Sequence, residues 1–245
     1  MDLARSYKLF RPTKLSVRRL HPTQDSNNRE TKMDNTGAEQ SETRAVYNEE
    51  YFEGNRSKSN YSGYAEASYG PSRMLAECVY KFFRPLNSLN GGCAVGHDVK
   101  RLAELGVDAH GVDISDWAVQ YADTPRIKQA DFATGLIPGQ YDLVYSYDVV
   151  EHILPERLGF AINNLWQATK RDLLVVPATY ENGETFDPDE PTHLIFEPYK
   201  WWVEFITAQT GARFDEEATK RFADEYHSKE FGYSHRVMIF TRIGA

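Results

Sequence analysis

The chain has 245 residues, 41% of them hydrophobic, and a formal net charge of −8 at pH 7. Residues 1–32 hold eight Lys or Arg and three Asp or Glu, a balance of +5, which leaves −13 on the remainder. An acidic body argues against a general nucleic-acid binder, because such binding depends on clustered Lys and Arg. The length allows one large domain with a sizeable core. We therefore expect one catalytic domain with a tail, and no nucleic-acid partner.

Cysteine content and hydropathy indicate the compartment. The two cysteines, Cys78 and Cys93, are too few for a disulfide framework, so we expect a reduced, cytoplasmic protein. The apolar runs stay short of the roughly 18–20 residues that a membrane span needs, and the N-terminus lacks the apolar core of a signal peptide. We expect no membrane partner.

The N-terminal part of the chain divides into a tail and a cap. Residues 1–46 are polar, with few large apolar side chains after Leu20, and we predict a disordered tail because burial there cannot offset the entropy of ordering. Tyrosines then alternate with glycines, which predicts a helical and aromatic cap over residues 47–87. Within it, the spacing of apolar residues predicts a helix over 72–83 that ends before Pro85.

A glycine-rich turn between two predicted strands organises the rest of the chain. Residues 88–113 have the order of a nucleotide-binding βαβ unit: strand, glycine-rich turn, helix, and a second strand that ends on Asp113. Gly92 and Gly96 allow the backbone to approach a ligand closely. Asp113 lies 17 positions after Gly96, where its carboxylate can accept hydrogen bonds from ribose hydroxyls. The pattern indicates a nucleoside ligand.

Beyond this unit, strands and helices alternate, which predicts an α/β fold with a doubly wound, mostly parallel sheet. The predicted elements are a helix over 116–122 with Ser115 as its N-cap, strands over 127–132 and 141–147, a helix over 156–170, a strand over 173–176, an acidic loop over 181–192, a helix over 199–209 ended by Gly211, and a final strand over 235–243 at the sheet edge. We assign residues 88–179 to a cofactor-binding core and 180–245 to a substrate-side segment, both within one domain over 47–245.

From about residue 47 onwards, the chain resembles a class I S-adenosylmethionine-dependent methyltransferase of the small-molecule type. Four blocks carry the resemblance in the family's order: LNGGCAVG (89–96), GVDIS (111–115), ADF (130–132) and YDLVYSYDVVEH (141–152). The resemblance implies a Rossmann-like methyltransferase fold, S-adenosyl-L-methionine as cofactor, and methyl transfer to oxygen, or next to nitrogen, of a small metabolite.

The resemblance also implies which residues contact the cofactor. The glycine turn would face the methionyl portion, Asp113 the ribose hydroxyls, and Asp131 the exocyclic amine of adenine. Asp113 and Asp131 could instead cap a helix or form a turn. The cofactor-binding residues implied are Asn90, Gly92, Ala94, Gly96, Asp113, Ile114, Asp131, Phe132 and Tyr147.

Two histidines are the candidate catalytic bases. A hydroxyl nucleophile must lose its proton, and imidazole titrates near neutrality. His152 follows the fourth predicted strand, at the sheet edge where ligands bind in this architecture, and His193 lies in the loop after the fifth. Each could instead be a hydrogen-bonded structural residue. A metal-assisted alternative would add Asp187 and Asp189, but the spacing matches no strong zinc or iron signature, and we expect no metal.

The aromatic residues predict the walls of the acceptor pocket, and two departures from the family pattern leave other functions open. We expect the tyrosines of 47–69 and the helix with Trp201 and Trp202 to wall the pocket, which favours a ring-bearing or sugar-like acceptor. Asn90 and Ala94 stand where the family has an acidic residue and a glycine, so a non-catalytic cofactor-binding subunit is one alternative. A nicotinamide-dependent oxidoreductase is another. The chain could form a homodimer.

Overall fold

The computed structural model describes residues 44–54, 59, 61–226 and 234–242. The predicted tail over 1–46 therefore lies almost wholly outside the described residues. The described strands are β1 (Asn87–Gly91), β2 (Asp108–Asp113), β3 (Ile127–Gln129), β4 (Tyr141–Tyr147), β5 (Thr169–Val176), β6 (Arg213–Phe214) and β7 (Met238–Thr241). The described α-helices are α1 (Glu49–Glu53), α2 (Tyr64–Ala67), α3 (Tyr69–Phe83), α4 (His97–Glu104), α5 (Asp116–Gln120), α6 (Pro155–Ala168), α7 (Tyr199–Thr210) and α8 (Glu216–Tyr226).

The strands form one seven-stranded sheet in the order β3-β2-β1-β4-β5-β7-β6. The strands from β3 to β5 are parallel, and β7 runs antiparallel to both β5 and β6. Because β1 pairs with β2 on one side and with β4 on the other, the winding direction changes at β1, where open α/β sheets bind ligands. The predicted α/β, doubly wound, mostly parallel fold is confirmed.

Apolar side chains cover both faces of the sheet. Leu173 and Val175 of β5 belong to a buried cluster with α6 and α7, while Leu174 and Val176 belong to a cluster with α3, α4 and α8 on the opposite face. This explains the unbroken apolar run at the end of β5, since a strand buried on both faces needs no polar alternation. Among the described helices, none combines the length and the hydropathy needed to cross a membrane.

Three predicted boundaries in the first half of the domain were wrong. The helix predicted from residue 72 is α3 and begins at Tyr69. The third strand ends at Gln129 instead of residue 132, because the Asp131 carboxylate accepts hydrogen bonds from the Ala133 N–H at 2.9 Å and the Thr134 hydroxyl at 2.7 Å and so turns the chain. The short helix after β2 ends at Gln120, with the Ser115 side chain at its N-cap as predicted.

In the second half of the domain, the observed elements differ more from the predicted ones. The helix predicted over 156–170 is α6, and the fifth strand begins at Thr169, which already has extended backbone angles. The strand predicted over 235–243 is β7, which follows a 3₁₀ turn over Ser234–Arg236 and lies inside the sheet, between β5 and β6. The edge belongs to β6, which was not predicted because two residues show no periodicity.

Candidate active site

A cavity of about 420 Å³ lies at the carboxyl ends of β1, β2 and β4. The sheet side of its wall includes Gly92, Asp113 and Tyr147, and the opposite side is formed by the aromatic cap. Its volume falls within the range of roughly 300–1,000 Å³ that is usual for small-molecule pockets. The cap tyrosines that line it are Tyr47, Tyr51, Tyr61 and Tyr64.

The glycine turn brings backbone to the cavity wall. Gly92 has φ of +83°, and a β-carbon there would lie 2.4 Å from the side chain of Val149, so only glycine fits. Ala94 also lies in the left-handed region, with φ of +47°, and its N–H donates to Asp113 Oδ2 at 2.8 Å. The turn is therefore held by the carboxylate at the end of the next strand.

Asp113 is buried at the cavity wall beside Ile114. Its Oδ2 accepts from Ala94, and its Oδ1 accepts from the Ser115 N–H at 2.8 Å. Burial raises the pKa of Asp113 above its usual value, although these backbone hydrogen bonds act in the opposite direction. Because each carboxylate oxygen carries two lone pairs, Asp113 can still accept from a ligand hydroxyl.

The structure brings seven of the nine predicted cofactor residues to the cavity wall, namely Gly92, Ala94, Asp113, Ile114, Asp131, Phe132 and Tyr147. Asn90 and Gly96 lie behind it. Asn90 donates through Nδ2 to Asp98 Oδ2 at 2.7 Å, and the Tyr145 hydroxyl donates to the same oxygen at 2.6 Å. A β-carbon on Gly96 would lie 2.1 Å from Ile127. These two residues shape the turn from behind.

His152 also lies on the cavity wall, in the 3₁₀ turn over Val150–His152 that follows β4. Its Nδ1 lies 3.0 Å from the Thr192 hydroxyl and 3.3 Å from the Thr192 carbonyl oxygen, and its ring is 6.1 Å from that of Tyr47. Burial lowers the pKa of His152 to about 3, with a smaller contribution from the neighbouring His193. The imidazole is therefore neutral at pH 7.

His193 lies outside the cavity wall, and its ring centroid is 4.6 Å from that of His152. Its Nδ1 contacts the Tyr180 hydroxyl, which donates to Asp187 Oδ2 at 2.8 Å. Burial lowers the pKa of His193 to about 4, against the effect of Asp187. The two predicted histidines thus meet, but only His152 reaches the cavity.

Glu151 joins the two histidines and was not predicted as a site residue. It is fully buried, and its Oε1 accepts from the Ala178 N–H at 2.8 Å and lies 3.9 Å from His193 Nε2. Burial, and next the Asp148 charge, raise the pKa of Glu151 to about 8. Its position next to His152 in the sequence was the one available signal.

The loop that carries His193 is attached through the backbone of Glu151. The carbonyl oxygen of Glu151 accepts hydrogen bonds from the N–H groups of Leu194, at 2.9 Å, and Ile195, at 3.1 Å. Such contacts between distant segments leave no periodic pattern, which explains why the sequence alone did not reveal the Glu151–His193 pair.

Only the cap half of the predicted acceptor wall lines the cavity. Trp202 is fully buried in the core cluster formed with α6, and Trp201 stacks on Phe205 at 4.7 Å. The expectation that this helix walls the pocket was wrong, because α7 buries its aromatic face against the sheet. In the cap, Phe52 stacks on Trp117 at 4.8 Å.

Comparison with known proteins shows what this arrangement is similar to. The methyltransferase domain family matches residues 89–175. The magnesium protoporphyrin IX methyltransferase of Synechocystis PCC 6803, solved with S-adenosylmethionine bound, is 21% identical with a TM-score of 0.50, over 71% of this chain and 80% of that one. No curated protein sequence gives a significant match.

Two further solved structures share the fold. An O-methyltransferase from a trans-AT PKS multienzyme of Brevibacillus brevis, in complex with S-adenosyl-L-homocysteine, is 16% identical with a TM-score of 0.50, over 72% of each chain. An amino pentose methyltransferase from Micromonospora echinaspora, bound to S-adenosylmethionine, is 11% identical with a TM-score of 0.54, over 75% of this chain and 98% of that one.

Proposed function

Since the chain is a class I S-adenosylmethionine-dependent methyltransferase, we propose that it methylates an oxygen atom of a small, hydroxyl-bearing acceptor. The observation that carries the proposal is the neutral imidazole of His152 in the wall of a cavity that the aromatic cap covers. A covered cavity of about 420 Å³ favours a small molecule over a macromolecule. The cap tyrosines favour a ring-bearing or sugar-like acceptor.

The residues of the wall fit the cofactor. A β-carbon at position 92 would clash with the side chain of Val149, so only the backbone of Gly92 faces the space that we assign to the methionyl portion of the cofactor. Asp113 would accept from the ribose hydroxyls, and Asp131 with Phe132 would contact the adenine. When bound, the cofactor supplies an activated methyl group on a sulfonium, which becomes a neutral thioether once the methyl leaves.

We propose that His152 binds the hydroxyl group of the acceptor. Its Nδ1 faces Thr192, so its Nε2 can accept a hydrogen bond from the hydroxyl and direct an oxygen lone pair towards the methyl carbon. A weakly basic imidazole suffices for the proton, because the hydroxyl becomes strongly acidic as its oxygen gains the methyl group. His193 does not reach the cavity and acts as a positioning residue behind His152.

The net charge supports the proposed class of partner, and the two cysteines support the proposed location in the cell. The acidic balance of the chain favours a small-molecule partner over nucleic acid. Cys78 and Cys93 are both buried and form no disulfide, which suits a reducing compartment, and we place the enzyme in the cytoplasm.

Calorimetry and methyl transfer test this function on the full chain. We expect S-adenosylmethionine and S-adenosylhomocysteine to bind, NAD not to bind, and labelled methyl to reach hydroxyl compounds in an acceptor panel that also holds amines. His152→Ala should lower kcat by about 10²-fold with unchanged cofactor affinity. His110→Ala is the matched control, since His110 pairs with Asp108 outside the cavity. Binding of NAD alone, or transfer to amines alone, would contradict the proposal.

A further inference from the structure

We propose that Glu151, His152 and His193 bind one divalent transition-metal ion at the acceptor end of the cavity. One potential ligand atom from each residue lies within 4.8 Å of the other two. Metal binding stands independently of the chemistry assigned above, whereas the catalytic role of the metal rests on the proposed function.

The hydrogen bonds of His193 leave its Nε2 lone pair available. The Tyr180 hydroxyl donates its proton to Asp187 Oδ2, so it must accept from Nδ1–H of His193. The Nε2 atom then carries the lone pair, and it faces Glu151 Oε1 at 3.9 Å. Metal-binding histidines are commonly oriented in this way, by a partner on the other ring nitrogen.

His152 is held in the same tautomer by a different partner. The Thr192 hydroxyl donates to Glu190 Oε1, so it accepts from Nδ1–H of His152 at 3.0 Å. The Nε2 atom of His152 therefore also carries a lone pair. Two histidines from distant parts of the chain are thus prepared as neutral ligands.

Glu151 adds a carboxyl group, and one of its oxygens lies within 4.8 Å of a ring nitrogen of each histidine. Its Oε2 is fully buried and has no hydrogen-bond partner within the part of the chain that the structure describes. Buried acceptors without a donor are costly, and native proteins seldom leave them so. A cation among Glu151 and the two Nε2 atoms would satisfy all three groups at once.

The donor set indicates the class of metal. Two imidazole nitrogens and one carboxylate suit Zn²⁺ or a similar transition-metal ion, whereas Mg²⁺ and Ca²⁺ prefer oxygen ligands. Three protein ligands leave a position open, as in catalytic zinc sites with two histidines and a glutamate. Because His152 lines the cavity, that position would face the acceptor. These three ligands differ from the metal ligands considered from the sequence, which included Asp187 and Asp189. Asp187 lies on the Nδ1 side of His193, and Asp189 is exposed.

The metal would make the acceptor oxygen a better nucleophile. A hydroxyl that binds a divalent metal has a lower pKa, so its O–H bond breaks and the proton passes to water. The oxygen lone pair then forms the C–O bond to the methyl carbon, and the C–S bond breaks with its electron pair on sulfur. In the metal-loaded enzyme His152 is a ligand, and the metal replaces it as the group that prepares the hydroxyl.

Calorimetric titration of the EDTA-treated full chain with ZnCl₂ tests the site. We expect one equivalent to bind, and at least about tenfold weaker binding in Glu151→Gln and His193→Ala. His110→Ala removes a histidine outside the cluster and should bind like the parent chain. Tyr180→Phe should weaken binding while leaving all three ligands in place, which separates the site from general misfolding. No saturable binding, or equal binding by the parent chain and Glu151→Gln, would overturn the proposal.

Rates of methyl transfer separate the two proposals. If methyl transfer falls in EDTA and returns when ZnCl₂ is added, the metal prepares the acceptor hydroxyl in the active enzyme. If transfer continues at full rate in EDTA, the catalytic role of the metal is excluded and the proposed function stands. If Zn²⁺ binds at one equivalent but no acceptor in the panel is methylated, the metal site stands and the proposed oxygen methylation fails.

Discussion

Ala94 has φ of +47°, a conformation that costs a residue with a β-carbon about 1–2 kcal/mol. Its N–H donates to the buried carboxylate of Asp113, and a hydrogen bond to a charged group contributes about 1.5–3 kcal/mol. The two ranges overlap, so the hydrogen bond offsets a conformational cost of similar size, which explains how alanine is tolerated where the family pattern has glycine. The turn and the carboxylate thus form one unit.

Asp113→Ala should weaken the binding of S-adenosylmethionine by about 10- to 100-fold, because it removes the proposed acceptor of the ribose hydroxyls and leaves two N–H groups without their partner. Calorimetry on the full chain measures the change. Asp116→Ala is the control, since Asp116 is exposed and lies outside the cavity wall. Unchanged affinity in Asp113→Ala would mean that the ribose binds elsewhere.

Residues that follow strand ends could be predicted from the sequence, and residues joined by tertiary contacts could not. Asp113 is the last residue of β2, and His152 lies in the 3₁₀ turn that follows β4, so the position of the sheet edge placed both at the cavity. Asn90 also ends a strand region, yet its side chain turns towards Asp98, behind the wall. Side-chain direction at such a turn depends on buried partners that no local pattern records.

At the scale of elements, the cap depends on its aromatic contacts. Helices α1 and α2 have only five and four residues, too few to be stable alone. They are held by the stack of Phe52 on Trp117 and by the Ser115 hydroxyl, which donates to the Tyr47 carbonyl oxygen at 2.5 Å. We therefore expect the cap to open more easily than the sheet.

Phe52→Ala should weaken cofactor binding at least about tenfold, because Phe52 joins the cap to the cavity rim. It should lower the free energy of unfolding by less than a matched change in the core, because we expect the cap to open before the sheet unfolds. Phe83→Ala is the matched change in the core, where loss of a buried Phe costs about 3–5 kcal/mol. Calorimetry and denaturant unfolding compare the two variants. Equal losses of unfolding free energy would show that cap and core unfold as one unit.

Long elements with a clear periodicity of apolar residues were predicted well. Short elements, and elements that depend on contacts with distant parts of the chain, were not. The fourth strand has the predicted bounds because its apolar run is long and a turn precedes it. Helix α8 was missed, although Ala218 and Phe222 have helical spacing and the first turn is acidic. The two-residue β6 exists only because β7 pairs with it.

For the whole molecule, stability depends on two apolar layers, one on each face of the sheet. Leu165 and Leu102 are both fully buried, one in each layer. Leu165→Ala and Leu102→Ala should each lower the free energy of unfolding by about 2–5 kcal/mol. Leu136→Ala should change it by less than about 0.5 kcal/mol, since Leu136 is 79% exposed. Denaturant unfolding measures all three, and a negligible loss in either buried variant would mean that its layer is not closely packed.

The two outer strands of the sheet are its shortest, with three residues in β3 and two in β6. Unpaired backbone groups on an outer strand can pair with another chain and start aggregation, and a short, charged strand limits that risk. Lys128 is exposed on β3, and Arg213 is exposed on β6. Two copies of this protein would therefore gain little by joining their sheets side by side, and any dimer should form through helices or loops.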